Sequence, residues 1–200
     1  MKRISCILMV VCAVCLMGCA SSGKVAPAAK KTPVAVLTIP ADQVHDTEFI
    51  EAKKALENAG VKIIVAAPTK VPVKGMLGGT FSPDIAIADI DVKGADMIVC
   101  IGGNGNLALY DDLTYRAKVQ EFFKAGKYVT AICAAPGILA NAGVLNGIQA
   151  TCFPYEPIVT LLKKNGALYI DQAVVVSGKI VTGNGPDAST KFGEQIASML

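Results

Sequence analysis

Cys133 is the residue whose setting points most directly to chemistry. It stands between the apolar run Val129–Ile132 and a segment that opens Ala134-Ala135-Pro136. The run is short and rich in β-formers, which reads as a buried strand. Pro136 suits the first turn of a helix, where its missing N–H costs nothing. A cysteine at a strand-to-helix junction of this kind occupies a sharp turn, the geometry of a nucleophile elbow. The helix N-terminus carries partial positive charge, which favours thiolate. Its free first-turn N–H groups can hold a developing oxyanion. The alternative for the same residue is a small thiol buried in a core.

Other reactive types are sparse. His45 is the only histidine, so a His-rich metal site or a Cys₂His₂ finger is excluded, and no metal or cofactor is expected. The run Gly102-Gly103-Asn104-Gly105-Asn106 has neither the third glycine of a dinucleotide fingerprint nor a Walker lysine. Its glycines better serve close backbone approach, with N–H groups aimed into a cleft at the carboxyl end of a sheet. Of seven cysteines, Cys6, Cys12, Cys15 and Cys19 lie near the N-terminus, leaving Cys100, Cys133 and Cys152 in the body of the chain. That count is odd, and no CxxC pair is present, so no disulfide framework is expected.

The elements that must position these residues alternate between strand and helix. Val34–Ile39, Lys62–Ala67 and Asp96–Ile101 are apolar runs that read as buried strands. Phe49, Ala52, Leu56 and Ala59 recur at helical spacing, with Asp46 or Thr47 as cap and Gly60 as terminator. This rhythm predicts βαβ units around a parallel sheet. Pro68 to Asp91 reads as a hairpin excursion. Leu107–Leu113, Tyr115–Ala125, Pro157–Asn165 and Asp187–Leu200 read as helices. Ala150–Phe153 reads as a short strand, and Ala173–Ser177 with Lys179–Thr182 as a hairpin or a bent strand. The fold class expected is α/β: a single-domain, flavodoxin-like α/β/α sandwich with a mostly parallel central sheet.

The N-terminus is of another kind. Lys2 and Arg3 precede an apolar run from Ile4 to Met17, too short for a comfortable membrane span and proportioned like a signal-peptide core. Leu16-Met17-Gly18-Cys19 resembles a bacterial lipoprotein cleavage box. The expected organisation is a signal peptide over 1–18, lipidation at Cys19, a flexible tether over 19–33 and one domain over 34–200. The protein would then be exported and held to a cell-envelope membrane by lipid. Losing Lys2 and Arg3 brings the formal net charge from +3 to +1, too small to suggest a nucleic-acid partner.

With these pieces placed, the chain resembles the DJ/PfpI superfamily over residues 33–200. The resemblance rests on the elbow AICAAP, the loop IGGNG, the helix DTEFIEAKKALENAG, the run LANAGVLNGIQAT and IVTGNGP before the last helix. It implies that Cys133 is the nucleophile and Glu48 the acidic residue beside it. It also implies that the N–H groups of Gly103 and Ala134 form the oxyanion hole. Departures are plain: Ala134 stands where PfpI-type peptidases carry histidine, and Phe153 where other members place one before a proline. His45, three residues before Glu48, falls on the same helix face if the helix starts early enough, and is the candidate replacement. The implied function is a cysteine-dependent glyoxalase or deglycase acting on small reactive carbonyls or their adducts. The alternatives are a non-catalytic redox sensor or chaperone with an oxidisable Cys133, and a peptidase. A homodimer is implied by resemblance alone.

The N-terminal reading has a direct test. Metabolic labelling with a palmitate analogue is expected to mark the protein, and Cys19→Ala to abolish the label; an unlabelled protein retaining Met1 contradicts it.

Overall fold

The computed structural model describes residues 31–200. The expected signal peptide, the expected lipidation site Cys19 and nearly all of the expected tether lie outside the described residues. Among the described residues no helix is long and apolar enough to cross a membrane.

The chain runs β1 (Val34–Thr38), α1 (Asp46–Asn58), β2 (Lys62–Ala67), β3 (Val73–Lys74), β4 (Thr80–Phe81), β5 (Ile85–Ala86), β6 (Met97–Cys100), α2 (Leu113–Lys124) and β7 (Tyr128–Ile132). It continues α3 (Pro136–Asn141), β8 (Gln149–Ala150), α4 (Glu156–Lys164), β9 (Leu168–Tyr169), β10 (Val174–Ser177), β11 (Ile180–Gly183) and α5 (Ser189–Ala197). The main sheet has the order β10-β11-β7-β6-β1-β2-β5. Every pairing in it is parallel except β10 with β11. The central strands read MIVC and YVTAI, nearly wholly buried, as parallel strands covered on both faces must be. Helix α1 packs on α5, and α2 packs on α3, which completes the α/β/α sandwich. The fold class expected from the sequence is the one observed.

Register decides what meets at the active end. Thr38, Cys100, Ala131 and Thr182 lie in one row across β1, β6, β7 and β11. The loops that follow these strands therefore leave the sheet at one level. Strand order also reverses between β1 and β6, and such a switch point opens a crevice at the carboxyl ends.

Several expected boundaries shift. The residues after the glycine loop form a 3₁₀ turn, Asn104–Leu109, rather than a helix over 107–113. Asp112 caps α2 by accepting from Tyr115 N at 2.8 Å, which fixes where that helix starts. The 68–91 excursion holds a hairpin of β3 and β4, but Ile85 belongs to β5, an edge strand of the main sheet. Thr151–Phe153 is irregular and only Gln149–Ala150 pairs, with β9. Cys100, Cys133 and Cys152 are all free and buried.

Asp46 or Thr47 was expected to cap α1. Instead His45 is the N-cap residue, and the Asp46 carboxylate accepts from Leu77 N at 2.8 Å and Gly79 N at 2.7 Å. A Cβ on Gly75 or Gly79 would overlap this carboxylate, so the glycines of that loop permit the approach. Burial works to raise the Asp46 pKa, but the Leu77 and Gly79 N–H groups outweigh it and hold the carboxyl below its ordinary value. Its contribution is therefore present above the unfolded pKa near 3.8 and lost as pH falls through the lower folded value. Asp46→Ala is expected to lower stability by about 3 kcal/mol at pH 7. In urea titrations the gap to wild type should shrink toward pH 2; a gap that persists undiminished contradicts the clamp.

Candidate active site

Cys133 follows β7 with φ 64°, one of only two non-glycine residues in the described chain with positive φ. Holding a cysteine there costs about 1–3 kcal/mol. Two backbone bonds hold it: Cys133 N donates to Gly183 O at 2.9 Å, and Phe153 N donates to Cys133 O at 2.8 Å. Tyr110 adds a third hold, its hydroxyl donating to Ala134 O at 2.8 Å with the ring lying across Gly137. The sharp turn read from the sequence is present. The other positive-φ residue, Gln43 at 52°, lies in the β1–α1 loop that faces the elbow.

The glycine loop joins these parts. A Cβ on Gly102 would overlap Glu48 Oε2 and Cys133 Cβ together. Gly103 has φ 118°, and a Cβ there would overlap Gln43 O. Gly102 O accepts from His45 N at 3.1 Å, which ties the start of α1 to the same loop. The glycines serve close approach, as the sequence implied.

Glu48 is 1% exposed, although it stands in the first turn of a helix. Its Oε2 accepts from Gly102 N at 3.0 Å, and its Oε1 is buried with no hydrogen-bond partner. Burial pushes the Glu48 carboxyl up to about 7, against the pull of its hydrogen bonds with Cys133 and Gly102. Burial also pushes the Cys133 thiol up, and the nearby Glu48 charge pushes it further; the N–H groups of Gly103 and Ala134 pull it down. The sequence had suggested a thiol lowered by a helix N-terminus. That effect is outweighed because α3 has only six residues, and Cys133 lies three residues before it, buried beside an acid. The two groups are close enough to titrate as a coupled pair, in which the Gly103 and Ala134 N–H groups favour charge on the sulfur and Glu48 opposes it.

A cavity of about 520 Å³ opens in front of the sulfur. Cys133, Gly103 and Ala134 line it, as does His45. The structure therefore brings His45 to the Cys133 site. Its ring is half-buried, its Nδ1 is buried with no hydrogen-bond partner, and burial lowers its pKa against the opposing effect of Asp46. Glu48 does not line the cavity; it lies behind the sulfur. The sequence reading missed Met76, Leu107, Tyr155, Ile158 and Pro186, which complete the wall. No local pattern marks them, since they come from separate elements. Cys100 and Cys152 are fully buried, do not line the cavity, and are pushed up by burial to about 11 and about 12. Among the described residues no three His, Cys, Asp or Glu side chains cluster to hold a metal ion.

An α/β/α sandwich with a strained cysteine elbow over a buried glutamate defines a class of protein, and comparison with known proteins agrees. The profile of the DJ-1/PfpI family matches residues 34–199, and the chain belongs to that family. An uncharacterized protein of Methanocaldococcus jannaschii is 34% identical over 100% of this chain and 98% of its own length. A glutathione-independent glyoxalase of Caenorhabditis elegans is 28% identical, over 83% of this chain and 88% of the relative. The crystal structure of a ThiJ/PfpI domain protein from Brachyspira murdochii superposes with a TM-score of 0.81 at 31% identity, covering 84% of this chain and 96% of that one.

The buried carboxyl predicts a pH signature. Unfolded Glu48 loses its proton near 4.5 and folded Glu48 near 7, so the folded state holds more protons in that window. Stability should fall as pH rises through it, by about 3 kcal/mol in total. Glu48→Gln is expected to remove this fall in urea titrations between pH 4 and 8. Parallel curves for the two proteins contradict the assignment.

Proposed function

We propose that the domain is a cysteine-dependent enzyme of the glyoxalase/deglycase type, acting on small reactive carbonyls or their adducts. The observation that carries this is the arrangement around Cys133: strained at the elbow, bordering the cavity, with the Gly103 and Ala134 amides on it and Glu48 behind it. The names of relatives support it, among them the Caenorhabditis elegans glyoxalase and protein/nucleic acid deglycase 2 of Escherichia coli, which is 29% identical over 80% of this chain.

The chemistry follows from the geometry. Cys133 passes its proton to Glu48 and adds as thiolate to the aldehyde carbon. The carbonyl electron pair moves to oxygen, where the Gly103 and Ala134 N–H groups hold it. A proton from water neutralises that oxygen and gives a hemithioacetal, while Glu48 keeps the thiol proton until the sulfur is released. For a 2-oxoaldehyde, the hydrogen on the first carbon then moves to the second, which leaves a thioester of a 2-hydroxy acid. Water cleaves that thioester and restores the thiol, with no outside oxidant or reductant. The carbon-bound proton is on the cavity side, where the neutral His45 imidazole is the base.

Purified wild type is expected to convert methylglyoxal to lactate, and Cys133→Ala to stop the conversion with the circular dichroism spectrum unchanged. His45→Ala should lower kcat by about 10²–10⁴-fold. Unchanged turnover in Cys133→Ala overturns the proposal.

A further inference from the structure

We propose that this site takes 2-oxoaldehydes bearing a bulky, uncharged, aromatic-sized substituent, in preference to three-carbon or anionic carbonyls. The inference rests on the reading of Cys133 as a carbonyl-directed nucleophile and adds the substrate class.

Size is the first argument. Cavities of about 300–1,000 Å³ enclose drug-sized ligands. At about 520 Å³, this one leaves most of its space empty around a three-carbon carbonyl. An empty apolar wall contributes nothing to binding, whereas a substituent that fills it removes that wall from water.

Lining is the second. Met76, Leu107, Phe153, Tyr155, Ile158 and Pro186 make the wall, and four of these are large side chains left 41–51% exposed. They come from the β3–β4 loop, the turn after β6, the segment before α4, α4 itself and the turn after β11. Their convergence on one nucleophile is a tertiary property. Phe153 is tied to the nucleophile: its N–H is bonded to Cys133 O, and its ring lies against Gly185, where a Cβ would stand 3.0 Å from the ring.

Charge is the third. Among the described residues no Lys or Arg lines the cavity, and no Asp or Glu does. The His45 ring is held toward its neutral form by burial. A carboxylate on the substrate would lose water and gain no counter-charge, and a guanidinium or ammonium adduct would fare the same way. The polar groups present are the Cys133 sulfur, the Gly103 and Ala134 amides, His45 and Asn104, which suit a dicarbonyl head. The reactive end of the substrate lies there and its apolar end against Phe153, Tyr155 and Ile158.

The test compares phenylglyoxal, methylglyoxal and glyoxylate in steady-state kinetics with the wild-type protein. Expected is a kcat/KM for phenylglyoxal about 10–100-fold above methylglyoxal, with glyoxylate lowest. Phe153→Ala should reduce the phenylglyoxal-to-methylglyoxal ratio about tenfold. Calorimetric titration of the wild type with unreactive acetophenone, acetone and benzoate reads the cavity apart from the chemistry, and acetophenone alone should bind. Methylglyoxal turned over as well as phenylglyoxal, with loss of both in Cys133→Ala, overturns this inference and leaves the enzymatic reading standing. No turnover of any carbonyl, with acetophenone still bound, overturns the enzymatic reading and the substrate class with it. Absence of acetophenone binding overturns the substrate class whatever the kinetics.

Discussion

The site depends on one close approach: Glu48 and Cys133 meet across Gly102, where no side chain stands between them. A methyl group at that position would overlap the carboxylate oxygen and the cysteine Cβ at once. The Gly102 N–H donates to Glu48, and its carbonyl accepts from His45 N. One residue without a Cβ therefore fixes the start of α1 against the end of β6 and leaves room for the elbow after β7. The strained φ of Cys133 persists because these neighbours, together with Gly183, Phe153 and Tyr110, over-determine it.

Two carboxyl groups two residues apart in the first turn of α1 show how little separates a clamp from a reactive acid. Both are buried and both feel the same helix terminus. Asp46 receives two backbone N–H groups and stays ionised. Glu48 receives one and borders a thiol, so burial prevails and its pKa rises to about 7. Pairs of titratable groups pushed apart in this way take different roles. Asp46 holds the loop that carries Met76 into the cavity wall, while Glu48 lies beside the Cys133 sulfur. The cavity has its own division: His45, Asn104 and the Gly103 and Ala134 backbone near the sulfur, and an apolar wall of Met76, Leu107, Phe153, Tyr155, Ile158 and Pro186 beyond it.

Much of this was legible in the residues. Apolar runs such as VAVLT and YVTAI can only be strands covered on both faces, and their alternation with helix-spaced segments leaves a parallel sheet as the economical solution. The elbow was legible because Cys133 stands directly between a strand and Pro136. Glu48 and the Gly103 and Ala134 amides were reached through family resemblance carried by local motifs. These are local patterns, and sequence order preserves them. Tertiary structure alone decided the rest. Asp46 abandoned the cap for N–H groups some thirty residues away, Ile85 left the hairpin for the main sheet, and the Cys133 thiol was raised instead of lowered. Each outcome depends on burial and on partners supplied by distant segments. Whether His45 reaches the sulfur, and which side chains wall the cavity, likewise depends on the strand register that aligns Thr38, Cys100, Ala131 and Thr182. Spacing along a chain states what a residue can do; the dielectric around it and the groups facing it are set only when the sheet brings four loops to one level.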